Sequence, residues 1–121
     1  MIRCETIVGT VSSSAANAAG TFTSVRPVVG DVVQVRNPGT SFGSTADYTL
    51  TRQLDGGTIF AGLDVAGPWQ FNPVLTTSLN SGTALAGTAS YPGVPCASHV
   101  TLVVGSAVAS SVGTVHVYYR T

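Results

Sequence analysis

The chain holds two imidazoles, His99 and His116, and two thiols, Cys4 and Cys96. Such groups can act as nucleophile, general base or soft metal ligand near neutral pH. Cys96 and His99 stand three positions apart, but the chain between them enters an extended strand and no third group is placed to orient the imidazole. A nucleophilic thiol is therefore not expected. His99 and His116 fall toward opposite ends of one predicted hairpin, too far apart to share a metal. Cys4 and Cys96, 92 positions apart, fit no zinc or redox spacing. Two reduced, partly buried thiols are expected, with a disulfide closing most of the chain as the alternative.

The acids Glu5, Asp31, Asp47, Asp55 and Asp64 form no carboxylate-rich calcium loop and no glycosidase pair. Asp31 and Asp47 read as turn residues at strand starts, and Asp55 as a hairpin residue. Glycines are frequent, but the chain has no lysine to complete a phosphate-cradling loop. No catalytic, cofactor-binding or metal-binding residue is expected, and binding or assembly is favoured over an enzyme. A different role for the side chains is stacking on sugar rings, for which Trp69, Tyr91, Tyr118 and Tyr119 are the candidates.

Only 8% of the 121 residues are charged, against roughly 25% in an average domain. Five arginines (Arg3, Arg26, Arg36, Arg52 and Arg120) are scattered and balanced by five acids. No polybasic surface exists, so nucleic acid is not an expected partner. The surface must be built mainly from Ser, Thr, Gly, Asn and Ala, and it lacks the net charge that keeps free monomers apart. That composition suits a homo-oligomer or a member of a larger assembly. No run of about 18 apolar residues is present, so no membrane span is expected, and synthesis is expected in a cytoplasm.

The elements that must position these residues are strands. Helical periodicity is absent, and the Ser/Ala-rich stretch 12–19 reads as a loop. Short β-branched and aromatic runs alternate with Gly, Pro, Asn and Asp, as in a sandwich or barrel. Candidate strands are 2–11, 20–25, 31–36, 48–54, 58–65, 74–79, 83–87, 99–108 and 114–120. Asp55-Gly56-Gly57 offers a two-residue turn, Asp-Gly or Gly-Gly. Either register puts Tyr48, Leu50 and Leu54 on one face with Ile59, Ala61, Leu63 and Val65. A last hairpin turning over 110–113 sets Val108 opposite Val115 and joins the row Val100, Leu102, Val104 and Val108 to Val115, Val117 and Tyr119. Between these hairpins, Pro68 and Pro73 bracket Trp69 and Phe71, a stretch expected to cross irregularly between sheets. Trp69 there reads as a plug closing the core, or as an aromatic recognition residue. The fold class expected is all-β: one antiparallel β-sandwich over 1–121, jelly-roll or immunoglobulin-like, of about eight strands.

Six segments in succession carry a resemblance: Gly30-Asp-Val-Val-Gln-Val35, Asp47-Tyr-Thr-Leu-Thr-Arg52, Asp55-Gly-Gly-Thr-Ile-Phe60, the Trp69 to Pro73 stretch, Val100-Thr-Leu-Val-Val104 and Gly113-Thr-Val-His-Val-Tyr-Tyr119. Their order and spacing resemble small β-sandwich proteins encoded in the head-morphogenesis regions of tailed bacteriophages, capsid cement and decoration proteins among them. The resemblance covers roughly 28–120 and implies a virion protein on the capsid surface, bridging neighbouring copies of the major capsid protein. It carries over no catalytic residue. Residues 1–27 lie outside it, and a partly extended N-terminal arm is one expectation for them. The alternatives are a tail, connector or fibre-associated virion protein, and a carbohydrate-binding or adhesion module.

Overall fold

The computed structural model describes residues 1–11, 18–39, 42–43, 45–62, 68–76 and 90–121, with the backbone alone at 74–76 and 90–92. All regular structure among them is β. The strands are β1 (Ile2–Thr10), β2 (Ala18–Thr23), β3 (Val28–Asn37), β4 (Asp47–Arg52), β5 (Thr58–Gly62) and β6 (Trp69–Phe71), followed by β7 (Val74–Thr76), β8 (Ser90–Pro92), β9 (Val94–Ser98), β10 (Val100–Ala107) and β11 (Val112–Arg120). Nine of them form two antiparallel sheets. One has the order β1, β11, β3, with β6 and β9 both bonded to the free side of β3; the other runs β2, β10, β4, β5; β7 and β8 pair separately.

The order becomes simple if the chain is folded in half at the β4–β5 turn. Each strand of the first half then pairs with a counterpart in the second: β4 with β5, β3 with β6 and β9, β2 with β10, and β1 with β11. Rolling this long ribbon up brings β11 against β3 and β10 against β4. That is the strand order of a jelly roll. The inward residues of the two sheets bury a β-branched and aliphatic core, with Val32, Val35, Val115 and Val117 from one sheet and Leu50, Val100, Leu102 and Val104 from the other.

Several expectations are corrected by this topology. The last two strands do not form a hairpin. Both sides of β10 are taken by β2 and β4, and both sides of β11 by β1 and β3, so the 108–111 connection crosses between sheets. Ser110 takes a positive φ of 56° there, and Val108 O accepts from Ser111 N. The two apolar rows are buried as expected, but they face each other across the core, and Val108 is exposed.

The β4–β5 hairpin exists with a different turn and face. Leu50 pairs with Phe60 and Thr51 with Thr58, so Ile59 is an extra, bulged residue, and both Ile59 and Phe60 point to the core. Leu54 and Ala61 are exposed, while Leu63 and Val65 lie outside the described residues. Instead of two residues, the loop spans 53–57. Asp55 Oδ1 accepts from Gly57 N at 2.9 Å and from Arg52 Nε at 3.1 Å, and Gly56 supplies a φ of 71°. The Gly57 N–H, more than Arg52, holds the Asp55 carboxyl below its ordinary pKa.

The Trp69 stretch is a short strand after all, because Pro68 and Pro73 fall just outside the three residues that pair with β3. Trp69 half-buries its ring on the core, stacked on Phe60 at 4.9 Å and edge-on to Tyr48 at 5.0 Å. No candidate strand covers β9, which follows Pro92 and contains Pro95; its place at a sheet edge is where a missing donor is tolerated. Of the 74–79 candidate only β7 is described, and 83–87 lies outside the described residues. Residues 1–27 carry two edge strands: β1 pairs with β11 without a break from Ile2↔Arg120 to Thr10↔Val112, and β2 pairs with β10.

Candidate functional site

The outer face of the β1–β11–β3 sheet gathers most of the chemistry the chain has. β1 and β11 are antiparallel with Cys4 opposite Tyr118 and Thr6 opposite His116. Since alternate residues share a face, Cys4, Thr6, His116 and Tyr118 stand together outside. Thr6 Oγ1 lies 3.0 Å from His116 Nδ1, Cys4 Sγ lies 3.8 Å from the same nitrogen, and Sγ and Oγ1 are 3.9 Å apart. On β3, Arg36 is the cross-strand neighbour of His116, and Gln34 that of Tyr118. Asp31 and Arg120 form a loose ion pair at 3.7 Å further along. The Cys4–His116 juxtaposition was missed in the sequence. It follows from the β1–β11 register, which nothing local to either strand announces.

The residues considered as a thiol–imidazole pair are kept apart in function. Cys96 points into the core, where its thiol donates to Ser98 O. His99 Nδ1 sits 2.9 Å from Ser24 O, and since a carbonyl only accepts, Nδ1 carries the hydrogen. Ser24 Oγ in turn accepts from Val100 N and donates to Arg26 O. His99 thus fastens the turn after β2 to the start of β10. Among the acids, Glu5 is buried and accepts from the backbone N and the Nε of Arg26, whose side chain is largely exposed. Asp64 lies outside the described residues. Of the four aromatic residues considered for sugar stacking, Trp69 and Tyr119 turn inward and Tyr118 outward, so these three do not form one platform, and the Tyr91 side chain lies outside the described residues. The Tyr48 hydroxyl accepts from Asn37 Nδ2 at 3.4 Å. Burial raises its pKa above the ordinary value, and hydrogen bonding from Trp69 and Asn37 opposes this in part.

Both thiols are free. Cys4 is on β1 and Cys96 on β9, three strand steps apart across the sheet, which at about 4.8 Å per step is roughly 14 Å. Bridging requires Cα atoms within about 7 Å. Melting curves with and without a strong reductant should therefore superimpose; a large drop under reduction would mean that a disulfide contributes to stability.

The opposite outer face, on β2–β10–β4–β5, is of another kind. One row across all four strands reads Thr23, Thr101, Thr51, Thr58, and the next reads Thr21, Val103, Thr49, Ala61. In these two rows no side chain is charged. The sheet ends on β2, whose outer side pairs with no described strand and which carries neither charge nor proline. Such an edge is a template for pairing with another chain.

Two shallow cavities lie toward one end of the sandwich, where β1, β3 and β10 begin. One of about 450 Å³ is lined by Arg3, Cys4, Arg26, Pro27 and Tyr119, and one of about 210 Å³ lies among Arg52, Asp55 and the β9 residues Pro95 to Ser98. Among the described residues no three of the His, Cys, Asp and Glu side chains converge as a metal cluster. A scan against models of known protein families and a search of curated proteins found no match.

Proposed function

We propose that the protein is a virion structural component, a capsid cement or decoration protein that grips the major capsid protein lattice of a tailed phage. The observation that carries this reading is the pair of uncharged, threonine-rich rows across the outer face of the β2–β10–β4–β5 sheet, bordered by Asp47 on β4 and by an edge of β2 that pairs with no described strand. A face like this offers β-branched methyls, hydroxyls and backbone groups with little charge to desolvate, which suits permanent packing against another protein. Jelly rolls recur in viral capsid and lectin domains, and the phage-like order of segments in the sequence favours the former. The lectin-like alternative is weakened by the separation of Trp69, Tyr118 and Tyr119. Individually weak contacts repeated over a lattice add up through multivalency.

Purified protein should bind capsids that lack it, at symmetry-related sites visible by electron microscopy, and raise their resistance to heat. Because few ions take part, a rise from low to molar salt should weaken binding only modestly. Absence of capsid affinity, or binding that disappears at moderate salt, would refute the proposal; density on the tail rather than the head would point to the tail-component alternative.

A further inference from the structure

We propose that Cys4 and His116, with Thr6 beside them, form a binding site for a thiophilic cation of the Zn2+ class on the outer face of the β1–β11 pair. The chain has two cysteines and two histidines, and the fold brings one of each together across 112 positions. Zinc bonds of about 2.3 Å to sulfur and 2.0–2.1 Å to nitrogen, at a tetrahedral angle, put the two ligand atoms roughly 3.6 Å apart. Cys4 Sγ and His116 Nδ1 are already 3.8 Å apart. Thr6 Oγ1, hydrogen-bonded to that nitrogen at 3.0 Å and 3.9 Å from the sulfur, makes the third corner of a triangle beside the two ligand atoms.

The site needs little rearrangement. Its side chains project from two strands paired in unbroken register, so their spacing is held by backbone hydrogen bonds. It lies on an exposed surface, where water can fill the remaining coordination positions. As the metal–sulfur bond forms, the thiol proton leaves to solvent, and no electron is transferred. The surroundings select for softness. No carboxylate joins the triangle: Glu5, between Cys4 and Thr6 on β1, points to the opposite face and holds Arg26, and Asp31 is paired with Arg120. Arg36, the neighbour of His116 on β3, adds positive charge on the other flank. Hard cations such as Mg2+ and Ca2+, which depend on oxygen donors and charge, are therefore disfavoured.

Titration of the reduced full-length chain with Co2+ tests this, because thiolate-to-cobalt charge transfer absorbs in the near ultraviolet only when a Co–S bond forms. The band should saturate with added cobalt and collapse when Zn2+ is added. Cys4→Ser should abolish it. His116→Gln should weaken binding by more than about tenfold, and Cys96→Ser should leave it unchanged. Saturation at half a cobalt per chain, lost in both the Cys4 and His116 variants, would equally support the site, with the cation joining two copies. No band, a band that survives Cys4→Ser, or an affinity indifferent to His116→Gln would overturn the proposal. Both variants alter exposed or half-exposed side chains, and unchanged melting temperatures would show that the fold is intact.

Discussion

Leu102→Ala is expected to cost about 2–5 kcal/mol of folding free energy, the range for truncating a large buried aliphatic side chain. Leu102 is 1% exposed and lies on the inward face of β10 between Phe22 on β2 and Leu50 on β4. All three strands are fixed by backbone pairing, so they cannot close over the lost methyl groups, and a cavity should remain. The neighbouring Val103 gives the control: it points outward on the same strand, is 41% exposed, and its change to Ala should move stability by no more than about 0.5 kcal/mol. Chemical denaturation of the two variants measures both effects. Equal midpoints would mean that the inward row of β10 is wrongly assigned.

Gly113→Ala should destabilise the fold although it adds a single methyl group. A Cβ at Gly113 would lie 2.1 Å from one ring carbon of Phe42 and 2.4 and 2.6 Å from two others. Phe42 is 1% exposed and cannot swing away freely. Its ring stacks on Phe22 at 5.9 Å and meets Tyr48 edge-on at 6.1 Å, and Tyr48 in turn abuts Trp69. Overpacking of this kind costs about 1–3 kcal/mol. Combining Gly113→Ala with Phe42→Leu should be less harmful than the sum of the two changes, because the shorter side chain vacates the contested space. Strict additivity would mean that the two residues do not meet.

The contrast between these predictions and the sequence reading shows what alternation along a strand can convey. Val100, Leu102, Val104, Val115, Val117 and Tyr119 announce their inward face through a period of two. They say nothing about which strand lies alongside. Two strands joined by a short connection look the same in sequence whether they pair in one sheet or face each other across a core, and β10 and β11 do the latter. Bulges hide for a related reason. Ile59 and Val33 each shift the parity of their strands, so Phe60 turns inward where alternation from Ile59 assigns it outward, and Val32 and Val35 are both buried. The Cys4–Thr6–His116 cluster stayed invisible because it depends on a pairing between the first and last strands. With that register known, its side chains fall on one face by parity alone.

The side of β3 away from β11 is shared by two strands in line, β6 against Val35 to Asn37 and β9 against Val28 to Val32. Between them the chain departs at Asn72 and returns at Gly93, whose N–H donates to Pro73 O, and the two stems pair as β7 and β8. The departure therefore starts and finishes at nearly the same point, beside the Val33 bulge. Lengthening the connection between stems paired in this way adds only about 0.6 kcal/mol of closure entropy per doubling, and it leaves the register of β6 and β9 on β3 untouched. In evolutionary terms, this position can accept longer, shorter or unrelated segments while the sandwich stays constant. A foreign peptide could be displayed here with little disturbance to the strands on β3.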